Sequence, residues 1–346
     1  MPHPFAYSPD GAHLVSADGS ELLVYDGPSE GPLWRKALPG PVLAVGVTER
    51  EIVSLDELGT LTRWKKNEPV PVEAVELGAI PEGLAVSADG TCVAWSDGAL
   101  HLVEPGKPPR SLEFAGATAA GFGPNQTLAV GFDDGAVRLL QLPGGELLRT
   151  TRVESRVVGL GYSALGAWFV AAGNALFHVL PKKEAELYRR YAEEKVESLA
   201  CSPDGTLLAC RLAGRKVVVL AFSTHEQVAV IEYLEREVGE VAFGPWPWLG
   251  VGLDLGDGNK IDLDSGRVHR TDEHPGRPHN SWALQADVKP GVALRALKKA
   301  AELVSPAPAV QVAPEPAASG GSGINWHWIA VGVGILIAIV KLLAKH

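Results

Sequence analysis

Residues 198–210 read Ser-Leu-Ala-Cys-Ser-Pro-Asp-Gly-Thr-Leu-Leu-Ala-Cys: an apolar run, a turn signal, and a second apolar run. Within Ser202-Pro203-Asp204-Gly205, proline presets a turn angle, aspartate accepts bonds from nearby amides, and glycine tolerates positive φ. The same tetrad recurs at Ser8-Pro9-Asp10-Gly11, and Ser87-Ala88-Asp89-Gly90 differs at one position. Weaker copies begin at Thr48, Gly123, Ser163 and Gly244, so the seven starts lie 36–42 residues apart. That spacing is close to the ~40–45 residues of a four-stranded repeat unit. Two more apolar runs follow the tetrad at 202, Lys216-Val217-Val218-Val219-Leu220 and Gln227-Val228-Ala229-Val230-Ile231. Four short strands joined by tight turns make one unit. Seven units predict an all-β chain, a seven-bladed β-propeller of four-stranded blades.

The clearest copy is the fourth. It runs Thr127-Leu128-Ala129-Val130-Gly131-Phe132-Asp133-Asp134-Gly135-Ala136-Val137-Arg138-Leu139-Leu140, then Gln141-Leu142-Pro143-Gly144-Gly145-Glu146-Leu147-Leu148-Arg149. An apolar strand, an Asp-Gly hairpin, a Val-Arg-Leu strand and a Gly-Glu turn in this order resemble the WD-repeat family. The resemblance covers roughly residues 4–272. It implies a propeller that serves as a binding scaffold, and it names no partner. The Gly-His dipeptide typical of that family is absent. Its Trp-Asp dipeptide survives as Tyr25-Asp26, while Trp64 is followed by Lys65. The family's buried polar network should therefore be largely replaced by apolar packing. Phe5-Ala6-Tyr7 should be an innermost strand, and the last unit should end in its own outer strand near 266–271. No outer strand would then be shared between the chain's two ends. Ser281-Trp282-Ala283-Leu284 reads as an extra closing strand or a plug.

Composition narrows the function. Of 346 residues, 46% are hydrophobic and 21% charged, enough for a core and too apolar for bulk disorder. Gly 39 and Pro 26 suit a turn-rich fold. A net charge of −10 with no basic stripe argues against nucleic acid, whose binding needs clustered cations to release phosphate counterions. Cys92, Cys201 and Cys210 are too few and too irregular for a disulfide framework. Cys201 and Cys210 should lie on neighbouring strands without opposing each other directly, which fits reduced thiols in a cytosol. Met1 to Asp10 has neither a basic n-region nor an apolar h-region, so it does not read as a signal peptide.

The chain divides into a propeller (1–285), a short amphipathic helix (286–304), a Pro/Ala/Gly/Ser linker (305–323) and an apolar terminus (324–346). The helix is predicted over Pro290–Val304, with Leu294, Leu297, Ala301 and Val304 as its apolar stripe. Arg295, Lys298 and Lys299 form a basic face, either solvated or resting on anionic lipid. Prolines keep the linker's first part extended and glycines loosen its second part. Residues 326–343 are apolar and span about 27 Å as a helix, close to a hydrocarbon core. Trp326 and Trp328 would sit at one interface and Lys341 would snorkel at the other. This predicts a single-pass membrane anchor. Its basic end, Lys341 and Lys345, favours a cytoplasmic C-terminus with the propeller outside. The free thiols and the N-terminal sequence favour a cytoplasmic propeller, and this is the preferred expectation.

Three clusters were weighed for chemistry. Gly161-Tyr162-Ser163-Ala164-Leu165 nearly spells a nucleophile elbow, but it lacks the final glycine and Ser163 opens a repeat turn. His269, Asp272, Glu273, His274 and His279 share one segment without metal-ligand spacing. Asp254, Asp257, Asn259, Asp262 and Asp264 depart from the calcium-loop register and suit hairpin turns. Trp246 and Trp248, in Pro-Trp-Pro-Trp, are candidate partner contacts or blade packing. The inner strands look mostly Ala, Val, Gly and Phe, which disfavours a catalytic channel. The reading is a membrane-tethered protein-interaction scaffold or sensor, with no cofactor, no metal and no catalytic residue. Its alternatives are a propeller enzyme with its site at the central channel, and a regulatory subunit of a membrane effector system. Ala330, Gly334 and Ala338 recur every four residues, so they line one face on which two helices can approach closely as a weak homodimer. Gly334→Ile should lower dimerisation in a membrane two-hybrid assay while leaving insertion intact. An unchanged signal would remove the dimer.

Overall fold

The computed structural model describes residues 4–304, apart from 27–30, 97, 164–165, 181–182, 192–193, 214, 234–236, 245–247, 254–257, 266, 271–283 and 290–291. Blade one comprises β1 (Phe5–Tyr7), β2 (His13–Asp18), β3 (Glu21–Asp26) and β4 (Trp34–Ala37). Blade two comprises β5 (Val42–Val47), β6 (Glu51–Asp56), β7 (Thr60–Lys65) and β8 (Pro71–Glu76). Blade three holds β9 (Pro81–Val86), β10 (Cys92–Ser96), β11 (Ala99–Val103) and β12 (Arg110–Glu113). Blade four holds β13 (Ala117–Phe122), β14 (Thr127–Phe132), β15 (Ala136–Gln141) and β16 (Glu146–Arg152). Blade five is β17 (Val157–Tyr162), β18 (Trp168–Ala172), β19 (Ala175–Val179) and β20 (Ala185–Arg190). Blade six is β21 (Val196–Cys201), β22 (Leu207–Leu212), β23 (Lys216–Ala221) and β24 (Gln227–Tyr233). Blade seven is β25 (Val238–Phe243), β26 (Trp248–Leu253), β27 (Gly258–Asp262) and β28 (Val268–Arg270). Every pairing between them is antiparallel, and inner strands touch their neighbours all the way round, β25 against β1 included.

The turn tetrads do what their chemistry predicts. Asp204 Oδ1 accepts from Thr206 N at 3.0 Å, and Ser202 Oγ accepts from Leu207 N at 2.9 Å. The same residues close the turn in blade one, where Ser8 Oγ accepts from His13 N at 2.8 Å. At the other end of blade four the Asp-Gly hairpin needs positive φ: Gly135 has φ +80° and Asp134 Oδ1 accepts from Ala136 N. Between turns the middle strands bury runs of Val, Leu and Ala, as in β14 and β18. Each fully buried Val or Leu contributes about 1.5–3 kcal/mol of transfer free energy.

Ring closure follows the sequence reading. Blade one supplies its own four strands and blade seven its own four. The extra strand is real but lies elsewhere than at the seam. β29 (Leu284–Val288) pairs antiparallel with β24, so it widens blade six to five strands. The chain thus returns from blade seven to blade six, across the boundary drawn at residue 285. α1 (Val292–Val304) follows and packs on blade six, with Ser223 Oγ donating to Ala296 O at 2.9 Å. Of the predicted stripe, Leu297 is buried and Leu294 only half-buried, while the side chains of Ala301 and Val304 lie outside the described residues. Val292, Ala293, Ala296 and Ala300 are also buried. The reason is size: alanines let the helix sit close on the sheet, whereas Leu294 borders solvent. Arg295, Lys298 and Lys299 are exposed. Cys201 pairs with Leu208 and Cys210 with Leu199, so the two thiols are staggered as expected. All three cysteines are free.

Blade two holds a buried indole bond between its strands, where Trp64 Nε1 donates to Ser54 Oγ at 2.9 Å. A different device links blades two and three. Arg63 on β7 is 1% exposed and reaches across the gap. Its guanidinium donates to Gly90 O (2.8 Å) and Val103 O (3.1 Å), and Nε meets Glu73 at 3.0 Å. Without these donors two buried carbonyls lose their partners, at ~1–3 kcal/mol each. Arg63→Met should therefore destabilise the protein by about 3 kcal/mol in urea titration. Arg152→Met, which breaks the solvent-exposed pair with Asp134, should change stability by less than about 1 kcal/mol.

Candidate interaction face at the channel mouth

The inner strands carry a regular irregularity. Six of the seven break register near their first residues, in β5, β9, β13, β17, β21 and β25. A bulge gives one strand an extra residue and re-aims its side chain. The extra residues are Leu43, Glu82, Thr118, Val158 and Glu197, with Gly239-Glu240 in blade seven. They encircle one mouth of the central channel, at the end where the second strand of each blade turns into the third. Thr118 Oγ1 donates to Val157 O of the next blade at 2.6 Å. The inner strands therefore carry more charge than their alanines and valines suggest. Glu82, Glu197 and Glu240 are the charged residues among strands that are otherwise mostly Ala, Val, Gly and Phe.

At the seam this charge is concentrated. Arg211 on β22 donates to Val238 O at 2.8 Å and pairs with Glu197 at 3.2 Å. Glu240 Oε2 accepts from Phe5 N at 3.2 Å, which joins the last blade to the first. Burial pushes the Glu240 carboxyl up to about 7, against the pull of Phe5 N–H and Arg211. The rest of this face is charged and mixed: Glu82, Asp133, Glu154, Glu197 and Glu237 are exposed alongside Arg152, Arg156, Arg190 and Lys195, and Glu154 pairs with Arg190 at 2.6 Å.

An apolar knob stands beside the mouth. Leu58 is 61% exposed and Ile80 78% exposed. They sit on touching loops: Leu77 N bonds Gly59 O at 2.9 Å, and Gly40 lies so close to Leu58 that no side chain fits there. Asp56 builds the turn under Leu58 by accepting from Leu58 N and Thr60 N. No periodicity rule marks these two residues, because each is a single aliphatic in a turn. Their only sequence signal is an apolar residue where a turn residue is customary.

The residues singled out by sequence fall in several places. Trp248 is the first residue of β26, half-buried beside Gly244; Trp246 lies outside the described residues. The anchor residues Trp326, Trp328, Ala330, Gly334, Ala338 and Lys341 also lie outside them. Among the described residues no helix is long and apolar enough to cross a membrane. Ser163 is 1% exposed and its Oγ accepts from Ala167 N at 3.3 Å, the turn role of its repeat position. Asp262 closes the last hairpin by accepting from Asp264 N and Ser265 N, while Asn259 donates to the Tyr233 hydroxyl at 3.0 Å. Asp254, Asp257, Asp272, Glu273, His274 and His279 lie outside the described residues, and His269 is on β28. Among the described residues no group of three His, Cys, Asp or Glu side chains is placed to hold a metal.

No protein-family model matches the chain, and no curated protein matches it. Among solved structures it is similar to the β-propeller domain of Cps50 (Swd1) from Myceliophteria thermophila. The TM-score is 0.66 at 12% identity, covering 75% of this chain and 96% of that one. At this identity the likeness concerns the fold, and it agrees with the WD-repeat-like architecture.

Glu240 makes the seam sensitive to pH. Its folded-state pKa lies above the ordinary carboxyl value, so its stabilising contribution is fully present below about pH 4.3. That contribution is lost as pH rises through about 7. The melting temperature should fall between about pH 5 and about pH 8 in the native protein, and this fall should shrink in Glu240→Gln. Equal slopes for both proteins in a thermal-shift series would refute the assignment.

Proposed function

We propose that the chain is a non-enzymatic protein-interaction scaffold whose channel-mouth face holds a partner, tethered to a membrane by residues 324–346. The carrying observation is the pair Leu58 and Ile80, two large aliphatics left 61% and 78% in solvent on one rigid surface. Exposed apolar groups on a charged rim are characteristic of protein contacts. The mixed charges around the knob suit a partner segment with an apolar anchor and polar flanks. The tether rests on the apolar run and flanking tryptophans of the sequence. It would raise the local concentration of whatever the propeller holds. The preferred side of the membrane is cytoplasmic. A regulatory subunit of a membrane effector is the same reading with a membrane protein as the partner.

Two measurements test it. Partners captured on the full-length chain should bind Leu58→Glu/Ile80→Glu roughly tenfold or more weakly. Equal binding would move the contact elsewhere. The full-length chain should resist carbonate extraction from membranes, and a chain ending at residue 304 should not sediment with them. Membrane association of the shortened chain would contradict the tether, and digestion of the propeller by protease outside intact cells would reverse its sidedness.

A further inference from the structure

We propose that a second surface, at the opposite end of blades one and two, binds an acidic peptide segment that carries an aliphatic side chain. This deepens the scaffold reading and rests on it. The surface is a cleft of about 370 Å³ lined by Arg50, Glu51, Lys65, Lys66, Asn67 and Glu68, with Val72 at its edge. Two turns of blade two build it. In the first, Thr48 Oγ1 accepts from Arg50 N and Glu51 N, at 3.1 and 3.0 Å. The second, between β7 and β8, is closed by Lys65 N donating to Val70 O. Blade one clamps that second turn in place. Trp34 lies against Trp64, with ring centroids 6.2 Å apart and planes tilted by 44°, and its indole donates to Lys66 O at 2.7 Å. The His13 ring bonds Asn67 Oδ1 at 2.9 Å. The cleft is therefore preformed rather than a loose loop.

Its charges are unequally satisfied. Glu51 lies 3.6 Å from Arg63, and Glu68 pairs with Lys65 at 3.4 Å. Arg50 and Lys66 have no carboxylate within ion-pair distance among the described residues. Asp10 feels Lys66 only through a longer-range attraction that lowers its own pKa. In a chain of net charge −10, two uncompensated cations in one recess mark a place for a carboxylate-rich ligand. The acidic remainder of the surface would repel such a ligand, which confers selectivity.

The rim supplies the apolar half. Val70 and Val72 are 42% and 54% exposed, and Leu33 is 45% exposed one residue before the Trp34 that clamps the turn. Val72 lines the cleft itself, Val70 closes its second turn by accepting from Lys65 N, and Leu33 precedes the tryptophan that holds Lys66 O. An aliphatic side chain would lie on Val70 and Val72 while flanking carboxylates meet Arg50 and Lys66. A recess with an aliphatic rim fits a peptide better than a planar lipid surface.

The test is a selection of random twelve-residue peptides displayed on phage against the full-length chain in detergent micelles. Selected peptides should be rich in Asp and Glu around a Leu, Ile or Val. Arg50→Glu/Lys66→Glu should weaken them at least tenfold by fluorescence anisotropy, and Leu58→Glu/Ile80→Glu should leave them unchanged. Both altered residues of the cleft contact solvent, and Arg50→Ala/Lys66→Ala provides a milder second variant with a smaller loss in the same direction. Peptides that ignore both cleft variants but fail on Leu58→Glu/Ile80→Glu would overturn this inference and leave the scaffold reading standing. Failure to select any peptide would overturn this inference, while the scaffold reading stands or falls on its own capture experiment with Leu58→Glu/Ile80→Glu. If the cleft variants lose binding to phosphatidylserine vesicles and bind the selected peptides normally, the cleft is a lipid contact and the inference falls.

Discussion

Seven sheets can meet at one axis only if their inner strands come close enough to exclude side chains at defined points. That approach is the constraint on which the rest depends. Gly46 accepts Val86 of the next blade, Gly131 accepts Val157, Gly161 accepts Cys201, and Gly250 accepts Phe5 and Tyr7. A β-carbon at any of these positions would overlap the neighbour. The last contact is the seam itself, since Gly250 is in blade seven and Phe5 in blade one. A short first strand of three residues can close the ring because two aromatic rings fill the space that glycine leaves.

With the axis packed in this way, the polar network expected of the family becomes dispensable. One strand-to-strand indole bond remains, from Trp64 to Ser54. Elsewhere the blades interlock through apolar clusters that span neighbouring sheets, such as Phe169 stacked on Phe222 from blade five to blade six. Polar links between blades add to these clusters, and Arg63 is the most deeply buried of them: a charged side chain in the core, held because it satisfies carbonyls of the next blade. Buried charge is tolerated only where such partners surround it. Blade six is reinforced differently, by β29 at its edge and α1 against it.

The bulges connect this packing to the proposed function. The added residues have unlike surroundings: Leu43 and Val158 are partly buried against apolar clusters, Thr118 bonds the next blade, and Glu82 and Glu197 are exposed. Leu43, Glu82, Thr118, Val158 and Glu197 therefore differ in chemistry although their backbone settings repeat. The scaffold stays constant while the mouth of the channel varies. The same division separates the rigid turn beneath Leu58 from the exposed side chain it presents.

The number of blades, four strands in each and the absence of a shared outer strand were legible in the sequence. Ser-Pro-Asp-Gly turns and apolar alternation are local signals, and each acts within a few residues of where it is written. The stagger of Cys201 and Cys210 was legible for the same reason. The destination of β29 was not, because no local pattern says that residues after blade seven return to blade six. The inward position of Leu297 on α1 was legible too, whereas those of Ala293, Ala296 and Ala300 were not, because alanine contributes little to a hydrophobic stripe. Glu240 at the seam, Arg63 between blades, and the cations of the blade-two cleft owe their character to groups 10 to 235 residues away in the chain. Sequence alone determined the repeat and hence the architecture, since hydrogen-bonded turns and strand periodicity are short-range. Only the tertiary structure decided which charges are buried, paired or left facing solvent, since burial and charge compensation depend on neighbours that the fold alone brings together.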